Sequence, residues 1–144
     1  MGLDTSHECW SGAYSAFARF REALAQAANI PLNYCEGFCM DSGELTTEIL
    51  KAELPNIAYH DIVALRAKVT QYPIPWNVFS ADPICYLLNH SDCDGSISYK
   101  HALPLAKRLQ EIKPKMSDYW ASRVQQFADG LRTAHAAKEN VEFH

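Results

Sequence analysis

Apolar residues along this chain recur mostly at steps of three and four, the spacing of one face of an α-helix. The clearest run is Trp120, Val124, Phe127, Leu131 and Ala134, which Ser117 can cap and only Gly130 weakens. Leu105, Leu109 and Ile112 repeat the pattern in a helix that Ser98 can cap, with Pro104 expected to distort its start. Phe17, Phe20, Leu24 and Ala27 predict a first helix that opens at Ser11 and Gly12 and ends before Pro31. Shorter stripes predict helices over 44–53 (Leu45, Ile49, Ala52) and 61–71 (Ile62, Leu65, Val69, then Tyr72 inward). Pro55 stops the first of these, and Pro73 and Pro75 break the second. Residues 31–43 hold Pro31, Gly37 and Gly43 and read as a loop, and Trp76, Val78 and Phe79 form an irregular apolar segment expected to pack under the fold. Asp82 and Pro83 open a short helix over 83–89, although Ile84 to Leu88 equally suit a buried strand. Strict alternation marks only the two ends, Gly2-Leu3-Asp4-Thr5 and Val141-Glu142-Phe143-His144, which can pair with each other.

The expected fold is therefore mainly α (α+β). One compact helical domain spans residues 1–144, with five to six helices and a small two-stranded element pairing the termini. A chain of 144 residues is the usual size of one domain, and no internal repeat argues otherwise. Composition changes little: 48% apolar and 21% charged is globular, and no apolar run approaches a membrane span. The polar N-terminus lacks the pattern of a secretory signal. Five cysteines (Cys9, Cys35, Cys39, Cys85, Cys93) form no regular framework and read as reduced thiols, which places the protein in the cytoplasm. Charge is more informative in its distribution than in its total of −4. Residues 1–99 carry 12 acidic against 5 basic side chains, so their field favours cations, while residues 100–144 carry 8 basic against 5 acidic. That basic excess is too dilute to point to nucleic acid.

The acidic part contains the one stretch dense in metal-ligating types, His90-Ser91-Asp92-Cys93-Asp94-Gly95-Ser96-Ile97. It is similar to an EF-hand loop, which needs oxygen ligands at positions 1, 3 and 5, glycine at 6 and a backbone carbonyl at 7. With Gly95 at position 6, Asp92 and Asp94 take positions 3 and 5, Ser96 position 7, Ile97 position 8 and Ser98 position 9. The ends depart from the pattern, because His90 stands at position 1 and His101 at position 12. Imidazoles there turn the preference away from calcium and toward zinc or another borderline ion. The element His-x-Asp-x-Asp-Gly also resembles one that ligates manganese in phosphoesterases with a DHH motif, although no Asp-His-His triplet is present. The expected ligands are His90, Asp92, Asp94 and Ser96, the cofactor being a divalent metal, with zinc, calcium and manganese all open. The competing expectation is an Asp-Gly turn that caps the next helix without metal.

Asp4 and His7, three residues apart, could complete that coordination and leave a water as nucleophile. Alternatively, Asp4 caps a local turn and His7 is solvated. His60-Asp61 matches the dipeptide of HD phosphohydrolases, but Asp61 is more simply a helix-start residue. Trp10, Trp76 and Trp120 read as core or rim aromatics. No phosphate-binding glycine loop, Gly-x-Ser-x-Gly elbow or His-Glu-x-x-His is present.

The opening Gly2 to His7, followed by Trp10, Gly12, Phe17 and Arg21, resembles a group of small proteins predicted from bacteria and their phages. The loop His90 to Gly95, the segment Phe127 to Leu131 and the ending Val141 to His144 resemble the same group. The likeness spans nearly the whole chain. It implies an intact cytoplasmic protein and points to His7 and the 90–95 loop, without supplying an activity. Three functions follow from the residues: a metal-binding protein, a metal-dependent hydrolase using Asp4 or His7, and an interaction factor that binds a host protein. In the third, residues 31–43 and 72–82 would make the contact. Membrane and nucleic-acid partners are not expected, and whether the protein is an enzyme and how it oligomerises stay open.

Overall fold

The computed structural model describes residues 2–40 and 42–144; Met1, and Asp41 within the expected loop 31–43, lie outside the described residues. The chain opens with strand β1 (Gly2–Asp4), paired antiparallel with β2 (Ser11–Ala13), and continues into helix α1 (Tyr14–Ala27). Ser11 and Gly12 thus belong to a strand and not to the start of the helix. Gly12 has φ +158°, extended backbone that suits the ladder, and Leu3 opposite it is fully buried. After α1 come β3 (Gly43–Glu44), α2 (Thr47–Glu53), α3 (Tyr59–Lys68) and β4 (Gln71–Tyr72). β3 and β4 pair antiparallel, so the helices expected over 44–53 and 61–71 are each trimmed by a strand. Thr46 fixes the start of α2 by accepting the Ile49 N–H. Val69 leaves the helix in extended conformation and still buries its side chain, which is why its apolar spacing looked helical.

The remaining elements are α4 (Cys85–Leu88), β5 (Ser96–Ile97), α5 (Tyr99–Ile112), α6 (Asp118–Ala137) and β6 (Val141–Glu142). Of the two expectations for 83–89, the short helix holds: Asp82 accepts the Ile84 N–H and receives Arg108 Nε on both carboxylate oxygens at 3.0 and 3.1 Å. Pro104 sits on the exposed side of α5 without breaking it. A short 3-10 connection folds α6 back along α5 as an antiparallel hairpin. Gln110 meets Gln125 near the connection, and Tyr99 meets His135 at the far end.

Two apolar clusters fill the protein. The larger joins α1, α4, α5, α6 and both termini around Trp10, Phe17, Phe20, Leu105, Phe127 and Phe143. The smaller holds α2, α3 and the β3–β4 ribbon around Leu45, Leu50, Ile62, Val69 and Ile74, and Phe79 packs against both. The ends do pair: Thr5 bridges Phe143, and Asp4 and His144 exchange backbone hydrogen bonds at 2.8 and 2.9 Å. No helix among the described residues is long and apolar enough to cross a membrane.

The turn Ser6–Glu8 between β1 and β2 presses on α6. His7 and Glu8 both take the left-handed conformation (φ +59° and +58°), at a cost of about 1–2 kcal/mol each. Gly130 lets them do so, because a Cβ there would meet Cys9 Sγ and lie 2.8 Å from the His7 carbonyl oxygen. Gly130→Ala would gain about 1 kcal/mol of helix propensity but must displace a backbone atom. It is therefore expected to destabilise the protein by about 1–3 kcal/mol in urea unfolding, and Cys9→Ala alongside should not restore it. A more stable Gly130→Ala protein would show that the corner yields.

Candidate functional site

The acidic loop is built by its neighbours on every side. α4 delivers the chain at Asn89, and the His90 N–H still reaches back to the Leu87 carbonyl at 3.3 Å. Gly95 has φ +90°, a conformation open to glycine and costly for residues with a Cβ, so the predicted glycine position is a true turn. β5 then pairs antiparallel with β6 (Ser96 with Glu142, Ile97 with Val141), and the Phe143 N–H extends the ladder to the Gly95 carbonyl at 2.9 Å. Hydrogen-bonded and free pairs alternate in such a ladder, which leaves the Ser96 carbonyl outside it. Ser98 Oγ accepts the Lys100 N–H and starts α5. The chain thus runs from α4 through the Gly95 turn and β5 into α5.

The ligands do not gather as expected. Among the described residues, no three His, Cys, Asp or Glu side chains form a group that could hold a metal ion. His90 packs its ring on Phe143, centroids 4.0 Å apart, with Nδ1 2.7 Å from the Ser91 carbonyl and the ring lying over Gly95. His101 stacks on Tyr86 at 4.1 Å and 12°. Aromatic packing holds both imidazoles. Asp92 is half-buried, while Asp94 and Ser96 are exposed. His7 is held by Ser6 Oγ at 3.0 Å and lies 3.6 Å from Glu139. Asp4 binds His144 through its backbone. These two residues fasten the termini. His60 and Asp61 face each other at 3.2 Å on an exposed first turn of α3.

The positive charge beside the loop comes from α1. Arg21 is 5% exposed and lies between the rings of Phe17 and Phe38, at 5.0 and 5.2 Å. One of its terminal nitrogens donates to the His90 carbonyl at 2.6 Å, and its Nε is buried without a partner. Burial pulls its pKa down and the Asp92 charge opposes that shift. Among the described residues no carboxylate lies within 4.0 Å of Arg21, so its charge rests on a carbonyl, two aromatic faces and Asp92 at longer range. Arg21 is the residue that reasoning from ligand types missed. Its signal was present, since it follows Phe17 by four positions on the apolar stripe of α1.

A shallow cavity of about 280 Å³ opens where Arg21 and Phe38 face Asn89 and Asp92. Compared with protein-family models, curated proteins and solved structures, the chain matches none.

Cys9, Cys35 and Cys85 do not line this cavity. Burial pushes the thiols of Cys9 and Cys35 up to about 12 and that of Cys85 to about 11, whereas Cys93 is exposed in the loop. A thiol reagent should therefore label Cys93 at once and reach Cys9 and Cys35 only on unfolding. The raised values also set a sign. The folded chain keeps protons that the unfolded chain releases above about pH 8.5, so the contribution of these thiols is complete below that pH and is lost as pH rises toward 12. Urea midpoints should fall between pH 8 and pH 10, and less steeply in Cys35→Ala; equal slopes would refute the assignment.

Proposed function

We propose that this is a cytoplasmic protein whose 90–98 loop binds a hard divalent cation through oxygen alone. Asp92 and Asp94 supply carboxylates and Ser96 its main-chain carbonyl. The observation that carries this is the turn itself: Gly95 left-handed at +90°, followed by a strand whose pairing leaves the Ser96 carbonyl free and by a capped helix. Among the described residues His90 and His101 form no ligand group with the acids, so the imidazoles that favour zinc are left out of this reading. Calcium or manganese then fits better. Only two carboxylates, one half-buried and one exposed, place the affinity at the weak end of such loops, about 10⁻⁴–10⁻³ M. A cytoplasmic setting suits the thiols at Cys9, Cys35, Cys85 and Cys93.

Calcium added to chelator-treated protein should shift the backbone amides of 92–98 in a saturable way, and manganese should broaden them. The double substitution Asp92→Asn, Asp94→Asn should abolish both effects and leave the fold intact. Loop amides unmoved at about 10 mM of either ion, well above the expected range, would end the proposal.

A second function, binding of a protein partner, is favoured by a different surface. Residues 35–38 and 74–76 lie together: Cys35 bridges Ile74, Trp76 Nε1 donates to the Glu36 carbonyl, and the Phe38 and Trp76 rings meet edge-on at 6.1 Å. Met40 beside them is 95% exposed. A photo-crosslinker at Met40 should give one discrete adduct in a bacterial lysate, and the same group at exposed Tyr119 should give none. Equal labelling from both positions would count the surface as inert.

A further inference from the structure

We propose that the cavity at Arg21 is a binding site for a small carboxylate, one that borders the cation loop at Asp92 and does not require the cation. Three observations meet there. A guanidinium is buried with its Nε unpartnered. No described carboxylate lies within ion-pair distance of it. The cavity beside it, about 280 Å³, is large enough for a ligand of a few heavy atoms. A buried charge left without a matched partner is costly, so a ligand that supplies one gains more there than at the surface. The planar guanidinium fork matches a carboxylate in particular.

Phe38 gives the cavity an apolar wall, and Asn89 and Ser91 at its rim supply amide and hydroxyl groups for the second oxygen. A compact organic acid of the size of acetate or glycine suits this lining better than a fully hydrated inorganic ion. Asp92 limits the affinity. It stands at the rim with the same charge as the ligand and is the negative group whose field Arg21 already feels. The loop thus carries its own weak competitor for the site. Removing that charge while keeping its shape must tighten carboxylate binding, whereas removing Arg21 must abolish it.

The test is an acetate titration of chelator-treated protein, followed at the Arg21 Nε–H and the amides of 89–92, with chloride at equal ionic strength as the reference. No divalent cation is present, so the outcome is independent of the cation proposal. Saturable shifts in the wild type are expected, about three- to fivefold tighter in Asp92→Asn, the factor that a like charge some 4 Å or more away in a wet site removes. Arg21→Gln should lose the response. Because that variant could also lose its fold, the deciding comparison is wild type against Asp92→Asn, a change of one half-buried loop side chain. No saturable shift in either protein, equal affinity in both, an identical response to chloride, or tighter binding of inorganic phosphate than of acetate would each overturn the assignment.

Discussion

The structure depends on the backbone pairing of the last four residues. The segment 141–144 lies between two partners, β5 on one side and the end of β1 on the other. Ribbons of two or three residues are not stable alone in water. Here each is stabilised by the next, so β2, β1, the C-terminal residues and β5 form one continuous set of hydrogen bonds. Phe143 anchors that set in the core, edge-on to Phe17 at 6.0 Å and beneath the His90 ring. The loop therefore takes its shape from residues some fifty positions away. Its acidic residues are presented by a frame that closes only when both ends of the chain are in place.

Arg21 shows how that frame handles charge. Two carboxylates at alternate positions beside a glycine repel each other, and the density of ligand types suggested a bound ion as the remedy. The fold supplies a partial remedy of its own. α1 carries a guanidinium into the apolar cluster and ties it to the loop at the His90 carbonyl. Burying that charge costs several kcal/mol before compensation. One charge-assisted hydrogen bond returns about 1.5–3 kcal/mol, and the rings of Phe17 and Phe38 add to it. Asp92 thus lies in the field of a fixed positive charge, which would lower the advantage of any added cation.

Much of the fold was legible because it rests on local periodicity. The stripes of α5 and α6 fall where the three–four spacing put them, Ser98 caps as expected, and the alternating ends do pair. The failures share a cause. Ser11 and Gly12, Gly43 and Glu44, and Gln71 and Tyr72 form strands only because a partner segment lies alongside, and partnership leaves no periodic trace in two or three residues. The loop behaves in the same way. Its turn was readable from Gly95 and its helix from Ser98, both local effects. The orientation of His90 and His101 was not, since it is decided by Phe143 and Tyr86, one of them distant in the chain. Arg21 lay in view, but an arginine on an apolar stripe says only that it is buried, and not what it faces.

These constraints bear on how the two proposed sites would act on each other. Asp92 belongs to both, as a ligand in one and as a competing charge in the other. A cation held by Asp92 and Asp94 neutralises the carboxylate that screens Arg21, so a carboxylate ligand then meets a less compensated guanidinium. Linkage makes the effect mutual: a ligand on Arg21 releases Asp92 toward the loop and raises cation affinity by the same factor. No movement of helices is needed, only a change in which positive centre one half-buried side chain serves. Coupling through a single such group is bounded by its interaction with a charge a few ångströms away in a wet site, about 1 kcal/mol. On these two proposals the coupling would be modest, and each site would still fill without the other.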